Sequence, residues 1–330
     1  MPFSKQKLSL IGKTCAMSNH SVEGIYLSSH VENILFLAFY IVIFILSVPS
    51  NALALWVFCH RNTNNTPSKE FLKHLALADM SYILVLPMRV IYHMSGGHWP
   101  LGEGACRVAG FLFFVNLYCS MYFMTCISVD RLLACVLPLK TQNLRSIRNA
   151  KVVCAILWVM VIVSMLPVLF SKKEVTRQMQ NVTVCEQLYI EKSSSPTGAL
   201  VSTAIAFVIP LVTLSFSYIL IFAKVKQLSF QERTAAQRKA IRMIVLTVVN
   251  FLIAFVPYHI HRFVFILQHD DMSRSESERH MLHLGNRITS ALTCINGVLD
   301  PVMYFFLARN YQETLLLLCG NYTGSPRSTN

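Results

Sequence analysis

The sequence predicts an all-α membrane protein: a seven-transmembrane helical bundle followed by a short amphipathic eighth helix. Three observations predict it. Apolar residues make up 54% of the chain and charged residues only 14%, against about 25% charge in a soluble globule. Mean hydropathy is +0.50. The apolar residues also gather in seven runs, near 32–59, 70–94, 104–136, 150–170, 198–225, 239–268 and 281–308. Each is long enough for the roughly 20 residues a spanning helix needs.

Each run reads as helix because it is too long for a tilted barrel strand of about 10 residues and lacks strict alternation. Hydrocarbon excludes open edges and bare loops, so the runs must form a bundle. The division expected is an extracellular tail over 1–31, a seven-span domain over 32–308, and a short cytoplasmic helix and tail over 309–330. Ahead of the first run only "LSLI" is apolar, far short of a signal-peptide core. The first span is expected to act as its own signal anchor. Lys and Arg concentrate in the loops after spans 1, 3 and 5. The positive-inside bias puts those loops in the cytosol and the N-terminus outside. The same bias accounts for the net charge of +13, so no nucleic-acid partner is implied.

Most of the ten cysteines fall within spans and read as small buried hydrophobes. Cys15, Cys106 and Cys185 fall on the outer side, where disulfides survive. A Cys106–Cys185 bridge would pin the loop between spans 4 and 5 over the bundle mouth, leaving Cys15 without an obvious partner. Sequons at Asn19 and Asn181 lie on the same side, consistent with glycosylation, whereas Asn64 and Asn321 lie inside. No internal repeat is visible, which counts against a transporter.

Ionisable residues within a span are costly and mark function. Asp79 and Asp300 are the two acids in mid-span. They either share a proton in a hydrogen-bonded pair or hold a small cation such as sodium, with Ser120 and Asn296 as further oxygen ligands. Asp130 and Arg131 stand at the inner end of span 3. They read as a solvated cap, or as a switch if the arginine finds another partner.

"SNALAL", "LALAD", Cys106, "DRL", Trp158, Pro210, "FVPY" and "DPVMY" follow one another in order. Together they resemble the rhodopsin-like (class A) G-protein-coupled receptors, over residues 30 to 319. "LPMRVIYH", "HWPLGEGACR", "NLYCSMYFMTCISVDR", "FVPYHIHR" and "LDPVMYFF" resemble the purinoceptor-like branch of nucleotide, cysteinyl-leukotriene and lysophospholipid receptors. The chain departs from the common pattern at "DRL", at Phe255 in place of a tryptophan, and at Asp300 in place of an asparagine. Gln237 stands where many receptors have an acid.

"FVPYHIHRF" then acquires a meaning. Pro257 frees a carbonyl and permits a kink. His259 and Arg262 share one helix face, Tyr258 flanks it, and His261 points elsewhere. Arg89 and Arg287 stand at similar depth in spans 2 and 7. Three arginines without three acids to pair them imply an anionic ligand, with Tyr92, Phe113, Phe114 and Tyr118 supplying aromatic surface. Snorkelling to headgroups is the competing account of Arg262.

The resemblance implies a plasma-membrane receptor for an extracellular anionic small molecule or lipid, whose binding shifts a two-state population. Span 6 would swing at Phe255 and Pro257. Arg131, Tyr218 and Tyr304 would rearrange to admit a heterotrimeric G protein, of the inhibitory type in this branch. The competing readings are a lysophospholipid or lipid-acid receptor, a non-signalling scavenger and a transporter. No nucleophile–base or metal-ligand set points to an enzyme, and no cofactor is implied beyond an allosteric sodium ion. After span 7, "RNYQETLLLLCGN" reads as an amphipathic helix on the membrane lipids, with Cys319 as a palmitate site.

Overall fold

The computed structural model describes residues 4–60, 66–136, 141, 143–170, 176–179, 182–185, 196–226, 235–268 and 275–318, with side chains in the first segment from residue 30 onward. Eleven helices run through these residues: α1 (Ser4–His60), α2 (Pro67–Ile83), α3 (Val85–Met94), α4 (Gly102–Val136), α5 (Ile147–Phe170), α6 (Pro196–Lys226), α7 (Ala235–Asn250), α8 (Val256–Gln268), α9 (Glu276–Thr293), α10 (Asn296–Leu307) and α11 (Arg309–Leu318). A hairpin of β1 (Thr176–Met179) and β2 (Val182–Cys185) precedes α6, with Thr176 opposite Cys185.

Six stretches are long and apolar enough to cross a membrane: His30–His60, Pro67–Met94, Gly102–Val136, Ile147–Phe170, Thr197–Lys224 and Ile241–Gln268. His280–Phe306 passes the same test together with Tyr311–Leu318, which turns away from it by 102°. These limits fall within three residues of the apolar runs in the sequence. Trp56, Ile156, Val163, Phe216, Phe222 and Leu267 are among the large side chains exposed on the bundle surface. Such a surface is stable against lipid and unstable against water.

Breaks within spans have local causes. Pro67 opens α2, where a missing N–H costs nothing, and the Thr66 side chain caps it by accepting from the Lys69 N–H. Span 2 breaks at Leu84 because Pro87 cannot donate to the carbonyl four residues back. Span 6 is α7 and α8 joined by a π turn over Phe251–Phe255, in which the Val256 N–H reaches back five residues to the Phe251 carbonyl. Pro257 follows at once. Ser275 and Glu278 form a reciprocal capping box at the start of α9. Span 7 tightens between α9 and α10, where Cys294, Ile295, Gly297 and Val298 donate to carbonyls three residues back.

α4 lies at the centre. Its buried residues run from Cys106 to Asp130, whereas α5 buries only Ala150, Cys154 and Val161. Trp158 of α5 anchors to α2 through an Nε1–H donated to His74 Nδ1 at 3.1 Å. At one end of the bundle the hairpin is tied down three ways. Cys106 and Cys185 are disulfide-bonded, with Cα atoms 5.7 Å apart, as the sequence suggested. The Trp99 N–H donates to the Thr183 carbonyl at 2.7 Å, and the Thr183 N–H donates to His98 Nδ1 at 3.1 Å. The turn that carries His98 and Trp99 needs Gly96 and Gly97, both at positive φ. The side chains of Cys15 and Asn19, and residues Asn181 and Cys319, lie outside the described residues.

Candidate ligand and switch sites

Near the hairpin end several of the candidate aromatic and basic residues lie together. Arg89 is fully buried. Its Nη1 donates to the Tyr40 hydroxyl at 3.1 Å, and the guanidinium lies 5.4 Å from the Tyr40 ring centre and 5.2 Å from that of Phe113. Phe113 packs edge-on against Phe114 and Tyr258, and Phe114 stacks with Tyr118. Arg262 is 7% exposed, and the Tyr258 hydroxyl lies in the field of both Arg262 and Arg89. Buried arginines from spans 2 and 6 therefore both act electrostatically on one tyrosine, beside an aromatic wall. Tyr92 faces His93 and Trp99, at the edge of this wall.

His259 is more specific than its spacing suggested. Its ring lies flat on Phe207, with centres 4.3 Å apart, and is fully buried. Nδ1 sits 2.8 Å from the Phe255 carbonyl. A carbonyl only accepts, so Nδ1 carries the hydrogen, and in the neutral ring Nε2 is left as an acceptor. Nε2 has no partner among the described residues. The neutral histidine therefore offers an acceptor to an O–H or N–H group and does not itself bind an anion.

Arg287 departs from the expectation of three arginines lacking acids. Nη1 donates to Glu32 Oε2 at 3.1 Å and Nη2 to Asn33 Oδ1 at 3.1 Å, both on α1, and the guanidinium caps the Phe36 ring at 4.7 Å. Glu32 sits at the boundary of span 1, where a count of acids within spans leaves it out. His261 likewise has a neighbour. It faces Gly285 of α9, where any Cβ would collide with its ring. It packs between spans 6 and 7.

In mid-bundle, Asp79, Ser120, Asn296 and Asp300 lie together. Asp79 Oδ1 accepts from Asn116 at 3.2 Å, Ser120 at 3.4 Å and Asn296 at 3.4 Å. The Asp79 and Asp300 carboxyls also act on each other. Two residues missed in the sequence complete the set: Asn116, and Asn250 of span 6, which donates to Asp300 Oδ1 at 2.9 Å. Asp300 Oδ2 and Asn250 Oδ1 are buried without a hydrogen-bond donor among the described residues. Two buried carboxylates and surplus oxygen acceptors fit either a shared proton or a small oxygen-ligated cation.

At the opposite end, Asp130 is 4% exposed and gathers three donors. Arg131 Nη2 donates at 2.7 Å, Arg145 Nε at 2.8 Å, and the Ser68 hydroxyl closes the set. Arg145 and Ser68 were not legible as partners. Tyr218 and Tyr304 have separate partners. The Tyr218 hydroxyl pairs with that of Ser128 at 2.7 Å, while Tyr304 donates to Asp79 Oδ2 at 3.3 Å and packs against Phe58 and Tyr311. Tyr304 thus ties the mid-bundle acids to α11, whose Tyr311 is buried.

A bundle of apolar spans, a pinned hairpin, an aromatic cluster with buried arginines at one end and a paired arginine at the other are the features of a heptahelical receptor. Residues 50–304 match the model for the 7 transmembrane receptor (rhodopsin family), and the chain belongs to that family. It is similar to the uracil nucleotide/cysteinyl leukotriene receptor of Rattus norvegicus, 49% identical over 90% of this chain and 87% of the relative. It is 48% identical to the receptor of the same description from Homo sapiens, over 90% and 80%. The cysteinyl leukotriene receptor 2 of Homo sapiens is 32% identical, over 84% and 79%. The protein is therefore a multi-pass plasma-membrane receptor that takes a small-molecule ligand and acts through G proteins, and it is not an enzyme.

Proposed function

We propose that this receptor is activated from outside the cell by an anionic ligand of the nucleotide or cysteinyl leukotriene type and signals through inhibitory-type G proteins. The observation that supports the reading is that two buried arginines, Arg89 and Arg262, both act electrostatically on Tyr258 beside an aromatic wall. Arginine's planar fork suits phosphate and carboxylate alike, and the rings suit a base or an acyl tail. The relatives' names point the same way. Orphaned His259 Nε2 adds a requirement: the ligand presents an O–H or N–H one turn deeper than its anion.

In this reading the hairpin end and the N-terminus are extracellular, Asn19 and Asn181 are glycosylated, and the Arg131 end meets the G protein. Asp79, Ser120, Asn296 and Asp300 hold sodium or one shared proton. Arg287 positions span 7 against α1 through Glu32 and is not the first anchor. α11 lies along the inner leaflet, with Cys319 as its acyl site. The testing experiment exposes cells carrying the chain, and matched cells without it, to uracil nucleotides, cysteinyl leukotrienes and lysophosphatidic acid, read with a panel of G-protein activation sensors. A response only to lysophosphatidic acid would move the ligand to the lipid-acid class. No response to any anion would remove the proposal.

A further inference from the structure

Asn250 is a primary amide in the middle of an apolar span, 2% exposed. An amide there is costly unless its hydrogens are used. Its Nδ2 donates to Asn296 Oδ1 at 2.7 Å and to Asp300 Oδ1 at 2.9 Å, both on span 7, and Met124 Sδ of α4 lies 3.6 Å away. Asn250 is also the last residue of α7, immediately before the π turn over Phe251–Phe255. Just past that turn, Pro257 has no N–H to give back to the ladder. The weakest stretch of the span 6 backbone therefore begins one residue after Asn250.

We propose that Asn250 is a latch: a positioning residue that holds the Arg131 half of span 6 against Asn296 and Asp300, and that lets go when that half swings outward. The inference rests on the receptor reading and is independent of the ligand's identity. Geometry decides which contacts break first. With a hinge near Phe255, Asn250 lies about 7.5 Å along the helix and Ala235 about 30 Å, at 1.5 Å per residue. A swing of roughly 15° then moves Ala235 by about 8 Å and Asn250 by about 2 Å. Adding about 2 Å takes both amide bonds beyond hydrogen-bond range, while apolar neighbours at the same depth stay near contact. The latch is thus close enough to the hinge to move little, yet short enough in range to open completely. Its release also deprives Asp300 and Asn296 of a donor, so the state of span 6 is felt by the mid-bundle acids.

The test needs no agonist. Ligand-free G-protein activation is measured at matched surface levels for the parent, Asn250→Leu, Asp300→Ala and the double variant. Asn250→Leu is expected to raise ligand-free activation about three- to tenfold, since it removes donors that exist only in the inward arrangement. Because Asn250 acts through span 7, its effect should shrink by at least half in the Asp300→Ala background, Asn296 remaining as the second acceptor. A merely structural role would give the same ratio in both backgrounds, and that result overturns the proposal. Parent-level activation in Asn250→Leu overturns it as well. If Asn250→Leu does not reach the surface, Asn250→Ser, whose hydroxyl is too short for Asp300, carries the same comparison.

Discussion

Replacing Asp130 by asparagine is the sharpest perturbation of the Arg131 end. The carboxylate is 4% exposed and receives Arg131 at 2.7 Å, Arg145 at 2.8 Å and the Ser68 hydroxyl. A hydrogen bond to a charged group contributes about 1.5–3 kcal/mol and a neutral one about 1 kcal/mol. Asparagine keeps one carbonyl acceptor, so one arginine retains a hydrogen bond weakened by the loss of the carboxylate charge and the second loses its partner. Both arginines regain hydration when the bundle opens, which roughly halves the gross loss. The closed arrangement should therefore weaken by about 1–2 kcal/mol, shifting the population about five- to thirtyfold. If the open state starts near 1%, it rises to roughly 5–25%. Arg145→Ala removes only one of the two pairs and should raise ligand-free activity about two- to fivefold. Arg131→Ala should abolish coupling. The assay is ligand-free G-protein activation in cells, normalised to surface receptor by antibody labelling of an N-terminal tag. Asp130→Asn at the parent's level, with Arg131→Ala still coupling, would refute the idea that this cluster restrains Arg131.

At the pocket, Arg262→Ala should weaken an anionic agonist by about tenfold or more, and Arg262→Lys should recover only part of it, because a point charge cannot form the two-pronged contact. Equal potencies of the three forms in concentration–response curves would return Arg262 to the headgroups. Cys185→Ser should lower surface expression and agonist response. The bridge closes a separation of 79 residues, worth up to about 4.5 kcal/mol of loop entropy, and parent-like thermal stability of the purified variant would deny it that role. Gly285→Ala should destabilise the bundle by about 1–3 kcal/mol through overpacking on His261. His261→Ala should restore the melting temperature in the double variant, and a failure of that rescue would show the clash lies elsewhere.

The spans were legible because hydrocarbon imposes one rule on every helix that crosses it: about 20 apolar residues and no unsatisfied backbone. The acid pair Asp79–Asp300 was legible for the same reason, since a charge within such a run stands out. Residues in unremarkable company were not. Arg145 lies in a loop among other basic residues, and nothing in its spacing says that it folds back onto Asp130. Glu32 occupies the first turn of a span, where an acid reads as part of the tail, yet it neutralises Arg287. Asn250 and Asn116 carry no charge, so a search for ionisable groups passes over them. A neutral amide in mid-span was the available signal. Pro257 announced a kink in span 6, but a π turn in place of a simple bend depends on packing against spans 5 and 7, which one sequence does not encode locally.

That π turn joins the two ends of the receptor. On its hairpin side, His259 donates to the carbonyl of Phe255, the turn's last residue, while its ring rests on Phe207 of α6. On its other side, Asn250 immediately precedes Phe251 and holds span 7. A ligand group that takes up His259 Nε2 thus acts on a ring hydrogen-bonded to the hinge backbone, and the hinge in turn governs whether Asn250 reaches Asp300. Proximity along such a chain of contacts would not by itself couple the ends. In the proposed reading the hinge takes two arrangements, and each end contributes hydrogen bonds of less than 3 Å that a small rotation would break. On the proposed reading, binding energy at His259 and Arg262 needs to favour only one hinge angle for the populations at Arg131 to change.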